Sequence, residues 1–389
     1  MSAFRQSVGS LALVLPLTLF LGVFFMWPLL TVLEQAVSDP VVSQNLPRTT
    51  AAASTWNRIS PPSDDMQTAL VDDLKSIDDD QKLGEVVRRL NSAQPGFRTL
   101  MRKTVAAVKD GAGAATLGEV DARWNDAAFW RAIAEATNPY TDRNLLAAVD
   151  LQHDTSGAIV AMPDGESANQ AILLRTFGVA AVVTLATCLT GLPYAMLVAA
   201  TSGWRRQLLL AAVLLPLWTS LLVRTAAWYI LLQDKGLINS SLLSLGLVSD
   251  ALPLLFNRTG VIIAMTHVLL PFMVLPIYSV LIAIPRNLMP AAASLGARPI
   301  RAFLHILLPL TLRGIASGGL LVFMAALGYY ITPALIGGPK DQMISSVIAF
   351  YATGSANWGM AGALGIVLLA ATIVLYGVYG RLTTKTAGA

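Results

Sequence analysis

Six apolar runs organise the chain: Leu11 to Leu33, Ala171 to Ala200, Leu208 to Leu232, Gly260 to Ile284, Gly314 to Ile336 and Met360 to Tyr379. Each reaches the roughly 20 helical residues needed to cross a hydrocarbon core. The pattern predicts an all-α integral membrane protein with six transmembrane helices. Pro216, Pro271, Pro276 and Pro333 fall inside these runs, where membrane helices tolerate a proline as a bend packed against a neighbour. Between the first and second runs, residues 34–170 change character, with polar residues returning and cap groups preceding helix-forming stretches. Ser63-Asp64-Asp65 precedes MQTALVDDLKSI, Asn125 or Asp126 precedes AAFWRAIAEA, and Thr141-Asp142 precedes NLLAAVDL. A large, mainly helical insert is expected, with Trp124, Phe129, Trp130 and Ile133 as a small aromatic cluster and Thr155 to Asn169 as the linker to the second span. Its many Ser, Asp, Gly and Pro residues read as loops, so support from the membrane part or a partner is expected.

Composition agrees with the spans. A chain of 389 residues that is 55% hydrophobic and 13% charged cannot hide its apolar side chains in a soluble core. The charges are sorted by side. One set of segments carries Arg5, Arg205, Arg206, Arg286, Arg298, Arg301, Arg313, Arg381 and Lys385 without any acidic residue, and every Asp and Glu falls in the other set. Because Lys and Arg near span ends stay in the cytoplasm, both termini are expected there and residues 34–170 outside. The division is then 1–33 for the N-terminus and first helix, 34–170 for the extracytoplasmic insert, and 171–389 for a core holding helices two to six and a cytoplasmic loop, 286–313. The net charge of +4 is explained by topology and lipid, not by nucleic acid. Arg5, an apolar stretch and Ala36-Val37-Ser38 also suggest a signal peptide, but the apolar region exceeds the roughly 7 to 15 residues of such a segment. The segment from Asp234 to Arg258 reads as an outer re-entrant or interfacial piece. Cys188, the only cysteine, lies in the second span, so no disulfide braces the insert.

Enzyme chemistry finds little purchase. The chain has no phosphate-binding loop ending in Gly-Lys-Ser or Gly-Lys-Thr, no HExxH pair among His153, His267 and His305, and no GxSxG elbow. No catalytic residue, metal site or cofactor is expected in this chain, and energy for any transport must come through another protein.

The most specific stretch is PAAASLGARPIRAFLHILLPLTLRGI, Pro290 to Ile315. Gly296 permits a sharp turn between two short helices, Pro299 suits the first turn of the second, and Arg298 and Arg301 stand beside an apolar side carrying Phe303, Ile306 and Leu307. An amphipathic helix lying on lipid would have the same periodicity. Ala291, Ala292, Leu295, Gly296, Ala297, Phe303, Leu308, Pro309, Gly314 and Ile315 resemble the signature loop of bacterial ABC-importer permeases, although Pro290 replaces the acidic residue that opens that motif. The runs LLPLWTSLLVRTAAWYILLQDKGLINSSLLSLGL, HVLLPFMVLPIYSVLIAIP and ALGYYITPALIGGP extend the resemblance to the spermidine/putrescine class of these permeases. It implies the type I importer permease fold in a bacterial inner membrane. It also implies a cytoplasmic ATPase dimer that binds ATP and Mg, a second and different permease subunit, and an extracytoplasmic solute-binding protein. Ala291, Ala292, Leu295, Gly296, Ala297, Arg298, Arg301, Phe303 and Pro309 would couple to the ATPase, with Phe303 the leading anchor.

Polar and aromatic residues in the spans are pathway candidates: Trp218, Arg224, Trp228, Tyr229, His267, Tyr329, Tyr330 and Thr332. On a straight helix Arg224 would lie roughly 27 Å beyond Arg206, near the outer boundary, where it could also snorkel to headgroups. His267 has the alternative of a hydrogen bond to a neighbouring helix, and the tyrosines that of interfacial anchors. The expected spans hold no carboxylate, which a polycation site would be expected to use, so an opine or another amino-acid derivative stands beside a polyamine as the solute. A membrane-anchored ligand sensor built on the insert would need a signalling domain after the last span. A secondary transporter would show inverted repeats and midplane carboxylates.

Overall fold

The computed structural model describes residues 14–57, 61–113, 117–154, 158–163, 165, 167–355 and 357–387, with the side chains of the final helix described to residue 377. Arg5 and Leu11 lie outside the described residues, and Arg381 and Lys385 lie in the final helix beyond its described side chains. By its internal contacts the chain forms two compact units, 1–161 with 357–366, and 162–356 with 367–389. These units do not follow the boundaries expected from hydropathy, because the start of the final helix packs with the first helix.

In the first unit, α1 (Val14–Gln35) is apolar and long enough to cross a membrane. One turn, Gly22–Met26, widens to a π-helix in which Trp27 N–H bonds to the Gly22 carbonyl, immediately ahead of Pro28. A wider turn leaves room for the donor that proline lacks. The insert follows as α2 (Val41–Asn45), α3 (Pro47–Ser54), α4 (Asp64–Ser76), α5 (Asp80–Ala93), α6 (Phe97–Lys109), α7 (Leu117–Val120), α8 (Ala127–Ala136) and α9 (Arg143–Ala148). The expected cap groups act in all three places: Ser63 Oγ accepts from Met66 N at 3.3 Å and Asp126 Oδ1 from Ala128 N at 2.9 Å. Before α9 the acceptor is Thr141 Oγ1, bonded to Arg143 N at 3.1 Å. The entry to α3 is capped from a distance, since Leu46 has no side-chain acceptor. The buried Asp73 carboxylate accepts from Arg48 N at 3.2 Å, Thr49 N at 2.7 Å and Thr49 Oγ1 at 2.8 Å.

These helices enclose a hydrophobic core of their own, centred on Met66, Leu70, Leu90, Leu100, Met101 and Leu117. The aromatic cluster is there, with Phe97 as an additional member between Trp124 and Phe129. Its polar edges are satisfied: Trp124 Nε1 donates to Thr104 Oγ1 and Trp130 Nε1 to the Trp124 carbonyl, each at 2.8 Å. The insert thus has a core of its own and also packs on the expected membrane part, where Asn144 Nδ2 donates to the Ala36 carbonyl at 3.4 Å. A short antiparallel ladder pairs β1 (Leu151–His153), just before the expected linker of Thr155 to Asn169, with β2 (Ile159–Ala161) inside it, and is an exception to the all-α class.

The second unit begins with α10 (Asn169–Ala200), then α11 (Gly203–Trp218), α12 (Leu221–Leu231), α13 (Leu237–Ser244), α14 (Arg258–Ala283) and α15 (Leu288–Ser294). It continues with α16 (Pro299–Leu327), α17 (Ile331–Ile336) and α18 (Ile344–Gly354), and with the later part of α19 (Trp358–Ala387). Helices α10, α14 and α16 form its centre, around Val183, Met265, Leu269, Met273, Val274, Ile277 and Val322. Glycines let the backbones approach. A Cβ at Gly314 would stand 3.0 Å from the Pro276 carbonyl and one at Gly318 3.1 Å from the Met273 carbonyl. Helix α14 starts on a cap from Asn257 Oδ1 to Gly260 N at 3.0 Å. It stops where Pro285 forces Ile284 to extended geometry.

Two expected spans are corrected. The run Leu208 to Leu232 is not one helix: α11 and α12 meet at 103° across Thr219 and Ser220, both extended or near it. The run Gly314 to Ile336 is shifted. Its helix begins at Pro299, ends at Leu327, and is separated from α17 by Gly328 to Tyr330. Among the described residues five helices are long and apolar enough to cross a membrane, or six when the bent pair is one crossing.

Candidate functional site

The 286–313 segment is built around one left-handed residue. Gly296 has φ +83, its N–H bonds to the Ala293 carbonyl at 2.9 Å, and Ala297 N–H bonds to the Ala292 carbonyl at 3.0 Å. This pair of bonds ends α15 in a Schellman closure. A Cβ at Gly296 would meet nothing within 4 Å, so the requirement is conformational and not steric crowding. Arg298 is then extended and Pro299 occupies the first helical position of α16. Pro290, at the third position of α15, sits where no intrahelical N–H bond is made, so proline is tolerated there. Its carbonyl accepts from Ser294 Oγ at 3.1 Å.

Exposure around this turn is uneven. Leu295 is 89% exposed and Ile300 74%, next to the exposed Arg298 and Arg301. Ala292 and Ala302 are buried, Ala297 and Phe303 half-buried, and Ala291 and Pro309 exposed. The outermost apolar side chains are thus Leu295 and Ile300, while Phe303, the expected anchor, turns partly inward. Ile300 was not singled out by the sequence, although its place one residue after Pro299 on the far side of the turn from Leu295 is a usable signal. The expected second short helix is not separate, because Pro299 to Leu327 is continuous. Pro309 does not open a span. It follows the π-helical turn Phe303–Leu307, where Leu308 N–H reaches the Phe303 carbonyl, as Pro28 follows the wide turn in α1.

A second group of candidates meets where α12, α14 and α17 come together. Thr225 Oγ1 and Thr332 Oγ1, both buried, are 3.1 Å apart and join the two short helices that follow the chain breaks. Trp228 Nε1 donates to His267 Nδ1 at 3.1 Å, with the rings 5.3 Å apart, so the expected hydrogen bond to a neighbouring helix is present. Arg224 Nη2 donates to the Thr219 carbonyl at 3.1 Å, tying the guanidinium to the end of α11 across the bend, while Nε is buried without a partner. The charge of Arg224 acts on both His267 and Tyr329. Arg224, Trp228, His267, Tyr329 and Thr332 therefore belong to one neighbourhood. Trp218, 89% exposed, lies on the other side of the bend, and Tyr229 is engaged with Phe256 at 6.1 Å. Tyr330 is 44% exposed at the break before α17. The 27 Å placement of Arg224 along a straight helix is overturned by the 103° bend. Thr225 was missed; a threonine in an apolar helix has no pattern that distinguishes it from packing.

Bent and broken helices around a partly polar centre, with a solvent-exposed basic turn between spans, define a multi-pass membrane permease. The sequence profile of the binding-protein-dependent transport system inner membrane component family matches residues 191–388. Spermidine/putrescine transport system permease protein PotB of Escherichia coli K12 is 35% identical over 210 residues, covering 54% of this chain and 76% of that protein. The inner membrane ABC transporter permease protein YdcU of the same organism is 34% identical over 220 residues, covering 54% and 67%. A crystal structure of a bacterial alginate ABC transporter, in complex with an alginate pentasaccharide-bound periplasmic protein, has a chain that aligns with a TM-score of 0.48 and 17% identity, over 57% of this chain and 80% of that one. The chain belongs to the family of binding-protein-dependent transport system inner membrane components: it is an inner-membrane permease subunit of an ABC importer. It is a multi-pass inner-membrane protein contributing to a translocation pathway, with ATP hydrolysis carried out by a separate protein.

Proposed function

We propose that this subunit lines half of the pathway for a small polar solute, a polyamine, an opine or a related amino-acid derivative, delivered by an extracytoplasmic binding protein. The other half comes from a second, different permease subunit. A cytoplasmic ATPase dimer, which holds the ATP and Mg, docks on the 286–313 segment, and both termini share that side. Ala291, Ala292, Leu295, Gly296, Ala297, Arg298, Arg301, Phe303 and Pro309 form or shape the docking surface. The observation that carries this reading is the Gly296 closure, which holds Leu295 at 89% and Ile300 at 74% exposure beside Arg298 and Arg301. Apolar tips of this kind in water are a liability unless a partner groove covers them. The continuity of α16 makes the turn the end of a lever, so that displacement at Ile300 is carried along the same helix to Leu327.

The test is co-purification of the ATPase with the membrane-inserted complex. Leu295→Asp and Ile300→Asp should each weaken association by at least about tenfold, the scale on which buried interface anchors act. Gly296→Val should do the same by displacing the turn. ATPase capture and solute-stimulated hydrolysis at unaltered levels in all three variants would remove the docking assignment.

A further inference from the structure

Among the described residues of the insert, three large apolar side chains are exposed: Tyr140 at 70%, Ile159 at 57% and Val160 at 36%. Elsewhere the insert keeps its large apolar side chains buried or half-buried, so the three mark one place, its base. Tyr140 forms a β-bridge with Ser38, and beside it Asp39 N–H bonds to the Pro139 carbonyl and Thr141 N–H to the Val37 carbonyl, each at 2.8 Å. Ser38 comes three residues after Gln35, the last of α1, so Tyr140 is held where the chain leaves that helix. The ladder is tied to the same place. His153 Nε2 of β1 lies 3.0 and 3.2 Å from the two Asp142 carboxylate oxygens, and Asn144 at the start of α9 donates from Nδ2 to the Ala36 carbonyl at 3.4 Å. Successive side chains of a strand point to opposite faces, so with Ile159 and Val160 both exposed neither face of β2 is covered. A two-stranded ladder is marginal in water by itself, and a localised apolar patch marks a contact.

We propose that the base of the insert lies in the interfacial zone of the bilayer, with Ile159 and Val160 at the boundary of headgroups and acyl chains and Tyr140 at headgroup level, and that lipid is what covers this patch. The patch is continuous with the end of α1, an apolar helix of spanning length, through the bonds of Tyr140 and Asn144. Tyrosine joins an apolar ring to a polar tip, the combination enriched where a membrane meets water. The exposed Asp142, Arg143, His153 and Asp154, next to the three in sequence or across the ladder, limit the depth of entry. The inference goes beyond the transport role and rests only on α1 crossing the bilayer. Its consequence is a second attachment for the insert, one that restrains its swing about the end of α1.

The experiment uses the intact chain in liposomes of phosphatidylethanolamine and phosphatidylglycerol. In a Cys188→Ser background, a nitroxide is attached to Tyr140→Cys, Ile159→Cys or Val160→Cys, with the exposed Asp78→Cys as the aqueous control. Collision with oxygen and with a water-soluble nickel chelate, read by electron paramagnetic resonance, should place the labels at 159 and 160 about 5–10 Å into the boundary. The label at 140 should read headgroup level, and the one at 78 bulk water. Nickel collision at 159 and 160 equal to that at 78 would overturn the inference. A label shielded from both reagents, or shielded only once the partner subunits are added, overturns it too, because either marks a protein surface. The unsubstituted chain supplies an independent measurement. A lipid carrying a diazirine in its acyl chain should cross-link to the peptide that holds Ile159 and Val160 as well as to α1, and cross-links on α1 alone would count against lipid at the base.

Discussion

Among single residues, Asp121 carries the clearest electrostatic consequence. Its carboxylate accepts from Arg123 Nε at 2.9 Å and Nη2 at 2.8 Å, and from Lys103 Nζ at 3.1 Å. The Arg123 hydrogen bonds above all, with Lys103 adding to them, hold its carboxyl well below the usual carboxylate range. A depressed folded-state value stabilises the fold above the unfolded value, near 4, and that contribution is lost as pH falls below it toward the folded value. The insert should hold its protection against proteolysis from pH 7 to 5 and lose part of it below about 4. Asp121→Asn should reduce protection at neutral pH and flatten this acid limb; an unchanged acid limb in limited proteolysis would contradict the assignment. The same residue shows what sequence could not supply. Asp121 and Arg123 are near neighbours in the chain, but Lys103 reaches them only because α6 folds back on that turn. Gly296, in contrast, was legible, since Gly between a short alanine-rich helix and Arg-Pro can be read as a left-handed stop from residue type alone.

Helices were legible where one physical demand dominated. Asn169–Ala200 and Arg258–Ala283 lie within two residues of their expected bounds at each end, because an unbroken apolar run sets them, with the Asn257 cap and Pro285 fixing the ends of the second. The third span was not, since hydropathy is blind to direction: Trp218 and Leu221 are equally apolar whether the chain goes straight or turns by 103°. Arg224, Trp228, His267, Tyr329 and Thr332 were all legible as candidates, but not which of them meet, because the bend sorts residues along one axis into those that reach α14 and those that do not. Packing of α14 on α16 depends on Gly318, whose absent Cβ would lie 3.1 Å from the Met273 carbonyl and from Met273 Sδ. The sulfur can yield but the carbonyl cannot. Gly318→Leu should destabilise the detergent-solubilised protein by about 1–3 kcal/mol, the usual cost of overpacking, read as a fall in the thermal midpoint. Gly319→Ala is the control, as a Cβ there meets only Thr184 Cγ2 at 3.6 Å.

At the scale of the whole chain, sidedness remains a matter of charge, and it can be measured directly. With the half-buried Cys188 replaced by Ser, a single cysteine at Leu295 should react with a membrane-impermeant maleimide only in inside-out vesicles. One at the exposed Asp78 should react only in intact spheroplasts. The reverse pattern would invert the orientation that the arginine distribution predicts. The insert was foreseen as a helical segment but not as a body with its own core, since helix caps are local and the meeting of Phe97 with Trp124 and Phe129 is not. Nor did hydropathy foresee that residues 357–366 belong to the same unit. There, Gly362 approaches the first helix so closely that a Cβ would stand 2.4 Å from the Val32 carbonyl, and at Gly359 one would stand 2.5 Å from Asn144 Nδ2. That contact has a consequence in time. A chain delivered from its N-terminus presents α1 and the insert early, yet the surface of α1 that receives Gly359 and Gly362 must wait until the last helix has been synthesised. Packing on that face of α1 therefore closes late, after the insert, with its own core, has already been made.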